Sequence, residues 1–154
     1  MRKLKRYDST FRNARRFWAC VCGHHVSAKP PKKRCPACGE VMEHFASKGE
    51  HKRWRELRLL EQAGEIAELR RQVRVRLRGA NGYLRHLVSG RPYVLAVDFV
   101  YRDLRDGVLV YEDYKSSGSR GVALEPLSEL KYAVLRAQLP DDAEVRINGW
   151  QIKT

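Results

Sequence analysis

At 154 residues and 17.9 kDa the chain holds one full domain, or a domain with a small appendage, and is too short for two large ones. Apolar residues make up 43% of it and the mean hydropathy is -0.58, with no run of about 18 apolar residues, which excludes a helical membrane span. Lys and Arg number 31 against 18 Asp and Glu, giving a net charge of +13 and a pI near 10.0, a field that draws polyanions and makes nucleic acid the first partner to consider.

The bases crowd at the start of the chain. Residues 1–34 hold 11 Lys or Arg and one acid, Asp8, for +10, whereas the remaining 120 residues hold 20 bases and 17 acids, for +3. No apolar stretch of signal-peptide length and no small-residue cleavage site follows the leading charges, so the expectation is a cytoplasmic protein. In a reducing compartment cysteines read as metal ligands before disulfides. Residues 1–16 are expected to form a basic arm, and 17–44 a zinc-ribbon-like module.

That module carries all four cysteines in two clusters, Cys20-Val21-Cys22-Gly23 and Cys35-Pro36-Ala37-Cys38-Gly39. The second is a C-P-x-C-G knuckle, in which two thiolates straddle a tight turn that the glycine permits. The first has one residue between its cysteines instead of two, so His24 or His25 stands as an alternative to Cys20 for the fourth position. Four protein ligands leave no open coordination position, which predicts a structural zinc that staples a segment too small to fold alone. Between the clusters Lys29, Lys32, Lys33 and Arg34 would be displayed toward phosphates, with a solvated charge run as the plainer alternative.

From Ser47 to Ala63 the apolar residues Trp54, Leu57, Leu60 and Ala63 recur at threes, predicting an amphipathic helix stopped by Gly64. Val73, Val75 and Leu77 then alternate with Arg74, Arg76 and Arg78, predicting a strand with one cationic face that serves either solvent or phosphate. Gly79 to Gly82 is turn chemistry. Strands are predicted at 93–101 and 108–115, joined through Asp106-Gly107, because both runs are rich in β-branched and aromatic residues. A helix over Leu127, Leu130, Val134 and Ala137, ending near Pro140, and a last strand at 143–148 complete the α/β domain 45–154.

Asp98 lies within Val94-Leu95-Ala96-Val97-Asp98-Phe99-Val100, where a carboxylate is costly unless paired or bound to a cation. On the next predicted strand, Val108 to Lys115, Asp113 and Lys115 share one side and Glu112 the other, so an antiparallel pairing lets Asp98 and Asp113 converge. Asp98 followed after fourteen residues by Asp113-Tyr114-Lys115 resembles the D…(D/E)-x-K pattern of the PD-(D/E)XK nuclease superfamily. The stretch from about Ala46 to Ala137 is also similar to small phage-encoded proteins assigned to that superfamily, which share an S-K-x-E helix start, here Ser47-Lys48-Gly49-Glu50, and an E-D-x-K strand. The proline of the "PD" pair is replaced by Val97.

The resemblance implies a restriction-endonuclease-like core: helix, three-stranded antiparallel meander, helix, strand. It implies that Glu50, Asp98 and Asp113 hold Mg²⁺ or Mn²⁺, that Lys115 orients water or stabilises the phosphorane, and that the Tyr114 carbonyl can also ligate. Lys131 and Tyr132 would border the cleft. Plainer alternatives stand beside these roles: Glu50 in a capping box with Ser47, Asp113 and Lys115 as an edge ion pair, and Glu112 as the ligand if a bulge shifts the register. The expected activity is endonucleolytic cleavage of DNA, with branched or junction DNA suited to the small size and a homodimer suited to paired cuts, as in Holliday-junction resolvases. The alternatives are a non-catalytic zinc-ribbon nucleic-acid-binding protein on a degenerate nuclease fold, and a zinc-ribbon protein acting on the host transcription or translation machinery.

Overall fold

The computed structural model describes residues 17–115 and 125–151, so the predicted basic arm 1–16 lies outside the described residues. The chain divides into two compact units, one ending at His51 and the other beginning at Lys52. No described helix is long and apolar enough to cross a membrane.

The first unit is a small antiparallel sheet in the order β2-β1-β3, with β1 at Phe17–Ala19, β2 at His25–Val26 and β3 at Glu43–Phe45. Phe17 stands opposite Phe45 and Trp18 opposite His44. The apolar interior is little more than Phe17, Ala19, Met42 and Phe45 with Cys20 and Cys35, too little to hold a fold by burial alone. Pro31–Lys33 forms a short 3-10 turn in the loop that sequence patterning left without an element.

The second unit is mixed α/β with a mostly sheet core. After α1 (Lys48–Gln62), whose first turn contains the boundary between the units, β4 (Ile66–Arg76), β7 (Val94–Asp103) and β8 (Leu109–Asp113) form an antiparallel meander. A small hairpin of β5 (Arg78–Gly79) and β6 (Gly82–Tyr83) interrupts it. The chain then forms α2 (Pro126–Gln138) and returns as β9 (Ala143–Ile147), parallel to β8, followed by β10 (Trp150–Gln151). The five-stranded order is β10-β9-β8-β7-β4. Helix α2 places Tyr132 and Leu135 against Leu77, Leu95, Val97, Val100, Val145 and Ile147, the unit's largest apolar cluster. Val73 and Val75 join it, so the cationic alternates Arg74 and Arg76 of β4 face away from α2, while Arg78, exposed at the start of β5, donates its backbone N–H to Gln138 Oε1 of α2.

Strand β4 begins seven residues before the predicted strand. Its register against β7 slips between Ala67 and Arg70, and Glu68 and Gln72 hold positive φ of 58° and 50°. Those breaks erase the period-two signal over 66–72 while leaving the pairing to Asp103 through Val94 intact.

Candidate functional site

In the first unit the four cysteines meet. All four sulfurs lie within 4.8 Å of one another, with Cys20 and Cys38 at 3.4 Å and Cys22 and Cys35 at 3.7 Å. A disulfide requires about 2.05 Å, whereas thiolates at about 2.3 Å from a tetrahedral zinc stand about 3.8 Å apart. The cluster is therefore one that can hold a structural metal ion, and zinc fits the donor set.

The one-residue spacing of the first pair is accommodated by burying Cys20 at the end of β1 while Cys22 stays exposed. Gly23 and Gly39, with φ of 97° and 77°, turn the backbone so that their N–H groups donate to the carbonyls of Cys20 (2.9 Å) and Cys35 (2.8 Å). Cys20 takes the fourth position in the sulfur set, and neither His24 nor His25 enters it; His25 Nδ1 instead faces the Gly23 carbonyl at 3.5 Å. Burial pushes the Cys20 thiol up to about 12. Burial also opposes ionisation of Cys35, but the backbone N–H groups of Cys38 and Ala37 outweigh it and bring that thiol down to about 7.

Sequence reasoning missed His51. It is buried, its ring packs on Phe45 at 4.8 Å, and its Nε2 lies 3.0 Å from the Cys20 carbonyl. A carbonyl only accepts, so Nε2 carries the proton and the ring braces the first knuckle. A lone histidine in a helix gives no sequence signal for this.

Lys29, Lys32, Lys33 and Arg34 are exposed as expected, but two of them also serve the module. Lys33 Nζ sits 5.9 Å from the Trp18 ring centroid, and Arg34 donates to the Gly39 carbonyl at 3.2 Å. Glu50 is 3% exposed. Its N–H donates to Ser47 Oγ at 3.1 Å and its Oε2 accepts the Ala46 N–H at 3.0 Å, a capping box displaced by one residue.

In the second unit the antiparallel register pairs Phe99 with Glu112 and Val100 with Tyr111. The ladder ends at that Phe99–Glu112 pair; Asp98 and Asp113 lie just beyond it, one on each strand, and both act on the Tyr132 phenol. The Asp98 carboxylate spans the two flanking strands. Its Oδ1 accepts Gln72 Nε2 from β4 at 2.9 Å, and its Oδ2 accepts the Tyr114 N–H just past β8 at 2.8 Å. Gln72, with its positive φ, was not singled out from sequence; a bulged strand residue supporting a carboxylate has no pattern of its own.

Asp113 is 2% exposed and lies 2.5 Å, through Oδ2, from Lys115 Nζ. The contact is an ion pair without hydrogen-bond alignment: among the described residues no donor is directed at that buried oxygen. Tyr132 of α2 closes the same side. Burial raises its phenol first, and Asp113 raises it further by charge and hydrogen bonding, with Asp98 adding to the effect. Tyr132 is thus a protonated donor facing two carboxylates. Lys115 is fixed through its backbone, whose N–H donates to Asn148 Oδ1 and whose carbonyl accepts Asn148 Nδ2, both at 2.7 Å. Asn148 holds this clamp from a turn with φ of 52°.

Glu112 points the other way. It is fully buried, receives Arg53 Nε at 2.6 Å and a second guanidinium N–H at 3.1 Å, and accepts Tyr101 Oη at 2.7 Å. Burial alone would lower the Arg53 guanidinium, but the bond and charge of Glu112 override it and raise it. Asp103 resembles Glu112 in being saturated: Arg105 meets both of its oxygens and Arg146 adds a third guanidinium contact at 3.1 Å. A surface cleft lined by Arg105, Asp141, Glu144 and Arg146 adjoins this network and contains none of the predicted site residues.

No protein family, curated protein or solved structure matches the chain.

Proposed function

We propose that the second unit carries a divalent-metal-dependent DNA endonuclease site of the PD-(D/E)XK kind, with a zinc-loaded cysteine module as its DNA-binding appendage. The observation that supports this reading is the meeting of Asp98, Asp113 and Lys115 at the end of the β7–β8 ladder, with one buried Asp113 oxygen lacking an aligned donor. Hard carboxylate oxygens suit Mg²⁺ or Mn²⁺, and Asp98 and Asp113 are the residues that would hold it. Such an ion supplies a nucleophilic water at neutral pH and neutralises the leaving oxygen. Lys115 sits where it orients that water or meets charge developing on phosphorus. Tyr132 and Gln72 fix the two carboxylates from opposite sides. Branched or junction DNA is the substrate class suited to so small an enzyme, and paired cuts would use two copies of the chain.

A second reading, nucleic-acid binding without cleavage, is favoured by one observation. Among the described residues of the second unit, no set of three or more carboxylate or imidazole ligands gathers. A panel of single-stranded, duplex, flap and four-way-junction DNA incubated with Mg²⁺, Mn²⁺ or EDTA separates the two. Metal-dependent product that disappears in Asp113→Ala and Lys115→Ala protein supports the nuclease. Binding without product in every arm, or full activity in those variants, sinks it.

A further inference from the structure

The near-neutral balance of residues 35–154 hides a one-sided stretch. From Leu69 to Val97 there are seven arginines (Arg70, Arg71, Arg74, Arg76, Arg78, Arg85 and Arg91), no lysine and no acid. All but Arg71 are exposed, and among the described residues none of those six guanidiniums pairs with a carboxylate. Two are preset by an aromatic ring: Arg76 and Arg78 lie 5.6 and 4.7 Å from the Tyr83 centroid, and Arg78 also donates to Tyr83 Oη at 2.9 Å. Such stacking orders a guanidinium without neutralising it, which suits bidentate phosphate contact.

The same stretch ends in a pinned apolar tip. Residues 84–93 form a second small hairpin, closed by the Arg85–Pro92 bridge and by backbone bonds from His86 N to Arg91 O and from Gly90 N to His86 O, each 2.9 Å. Arg85 donates to the Gly90 carbonyl at 2.9 Å, and the His86 ring stacks on Tyr93 at 3.8 Å. Held at its apex, Leu87 and Val88 are 102% and 101% exposed. A scattered exposed leucine is ordinary. Two adjacent branched residues lifted fully into solvent by an ordered turn, between Arg85 and Arg91, are not explained by folding, since neither contributes to the core.

We propose that this hairpin is a DNA wedge: the arginines seat on the phosphates while Leu87 and Val88 enter the minor groove and unstack a single base step. This deepens the proposed function and rests on its DNA reading. Apolar wedges flanked by bases are a known physical route to kinking duplexes, because the cost of unstacking is offset by the added backbone contacts that bending allows. The charge selects a polyanion, and two side chains are too little surface for a stable protein interface of about 1,000 Å².

The test uses the full-length, zinc-loaded protein and duplex and junction DNA carrying 2-aminopurine, read by fluorescence, with end-labelled FRET for bending. Wild type is expected to brighten 2-aminopurine and bend the DNA. Leu87→Ser/Val88→Ser protein is expected to lose both signals and about tenfold in affinity, while keeping the salt dependence of binding. Arg74→Ala/Arg76→Ala protein should instead flatten the slope of log K against log salt by about one per residue. Wild-type binding without unstacking, or unstacking retained in the serine variant, overturns the wedge and leaves the DNA reading standing. No DNA binding by wild type overturns both. Leu87- and Val88-dependent binding to phosphatidylglycerol vesicles, with DNA unaffected, overturns the wedge in favour of a membrane surface.

Discussion

Glu112 and Asp113 are adjacent on β8, are 0% and 2% exposed, and leave the sheet on opposite faces. Glu112 has both oxygens met by Arg53 and Tyr101, the arrangement by which a folded chain tolerates a buried charge. Asp113 has the Tyr132 phenol and one lysine in unaligned contact, no guanidinium, and a second carboxylate, Asp98, near the same phenol. Saturation identifies an acid that serves the fold. Under the proposed function, an acid set beside a second carboxylate is the one that would take up a cation, and such a site is kept at a cost in stability.

The contrast breaks most directly at Glu112. Glu112→Ala should destabilise the protein by about 3–5 kcal/mol, since it strands Arg53 and Tyr101 without their partner; the denaturant midpoint measures it. Asp113→Asn should invert the pattern. Its unfolding free energy should stay within about 1 kcal/mol of wild type, while the metal-dependent cleavage that the proposed function expects should fall about 10³-fold. Equal stability losses in the two variants would end the distinction drawn between them.

Asp103 sharpens it on the saturated side. Arg105 chiefly, helped by Arg146 and opposed by burial, holds its carboxyl below its ordinary value of 3.8. A carboxyl with a depressed folded-state value stabilises fully above the unfolded value and loses that contribution as pH falls through and below it. Asp103→Asn should therefore cost about 2 kcal/mol at pH 7, with the gap from wild type closing below about pH 4 in urea titrations. Asn148→Ala is the mildest case. Under the proposed function, releasing the Lys115 backbone should lower the cleavage rate about tenfold through kcat with KM little changed, as for a misplaced group that acts only in the transition state.

The sequence made some of this visible and hid the rest for definite reasons. Regular periods located α1, β7, β8, α2 and β9 to within a few residues, and Asp106-Gly107 between two β-rich runs marked the turn that joins β7 to β8. The cysteine set was legible because ligand spacing is local. Which of Glu112 and Asp113 turns toward Arg53 and which toward Tyr132 depends on register, which no single residue announces. Arg53 and Glu112 are 59 residues apart, and nothing local announces their pairing. Gln72 acts from positive φ, which its side-chain type does not signal; Asn148, before Gly149, is a residue type that favours that conformation, but its partner Lys115 lies 33 residues away. The cationic face of Arg74, Arg76 and Arg78 was legible, but its continuation to Arg85 and Arg91 was not, because summing charge over residues 35–154 averaged an acid-free segment with acid-rich ones.

The clamp from Asn148 onto Lys115 also carries a consequence for synthesis. β9 runs parallel to β8 and reaches it only after α2 has been made, so Lys115 acquires its backbone partners once residue 148 has cleared the ribosome. A nascent chain already displaying its arginines and both aspartates still lacks the fixed lysine. The order of translation thus completes the cationic surface before the Lys115 clamp, so under the proposed function a ribosome-bound chain would be able to meet nucleic acid before it could cut it.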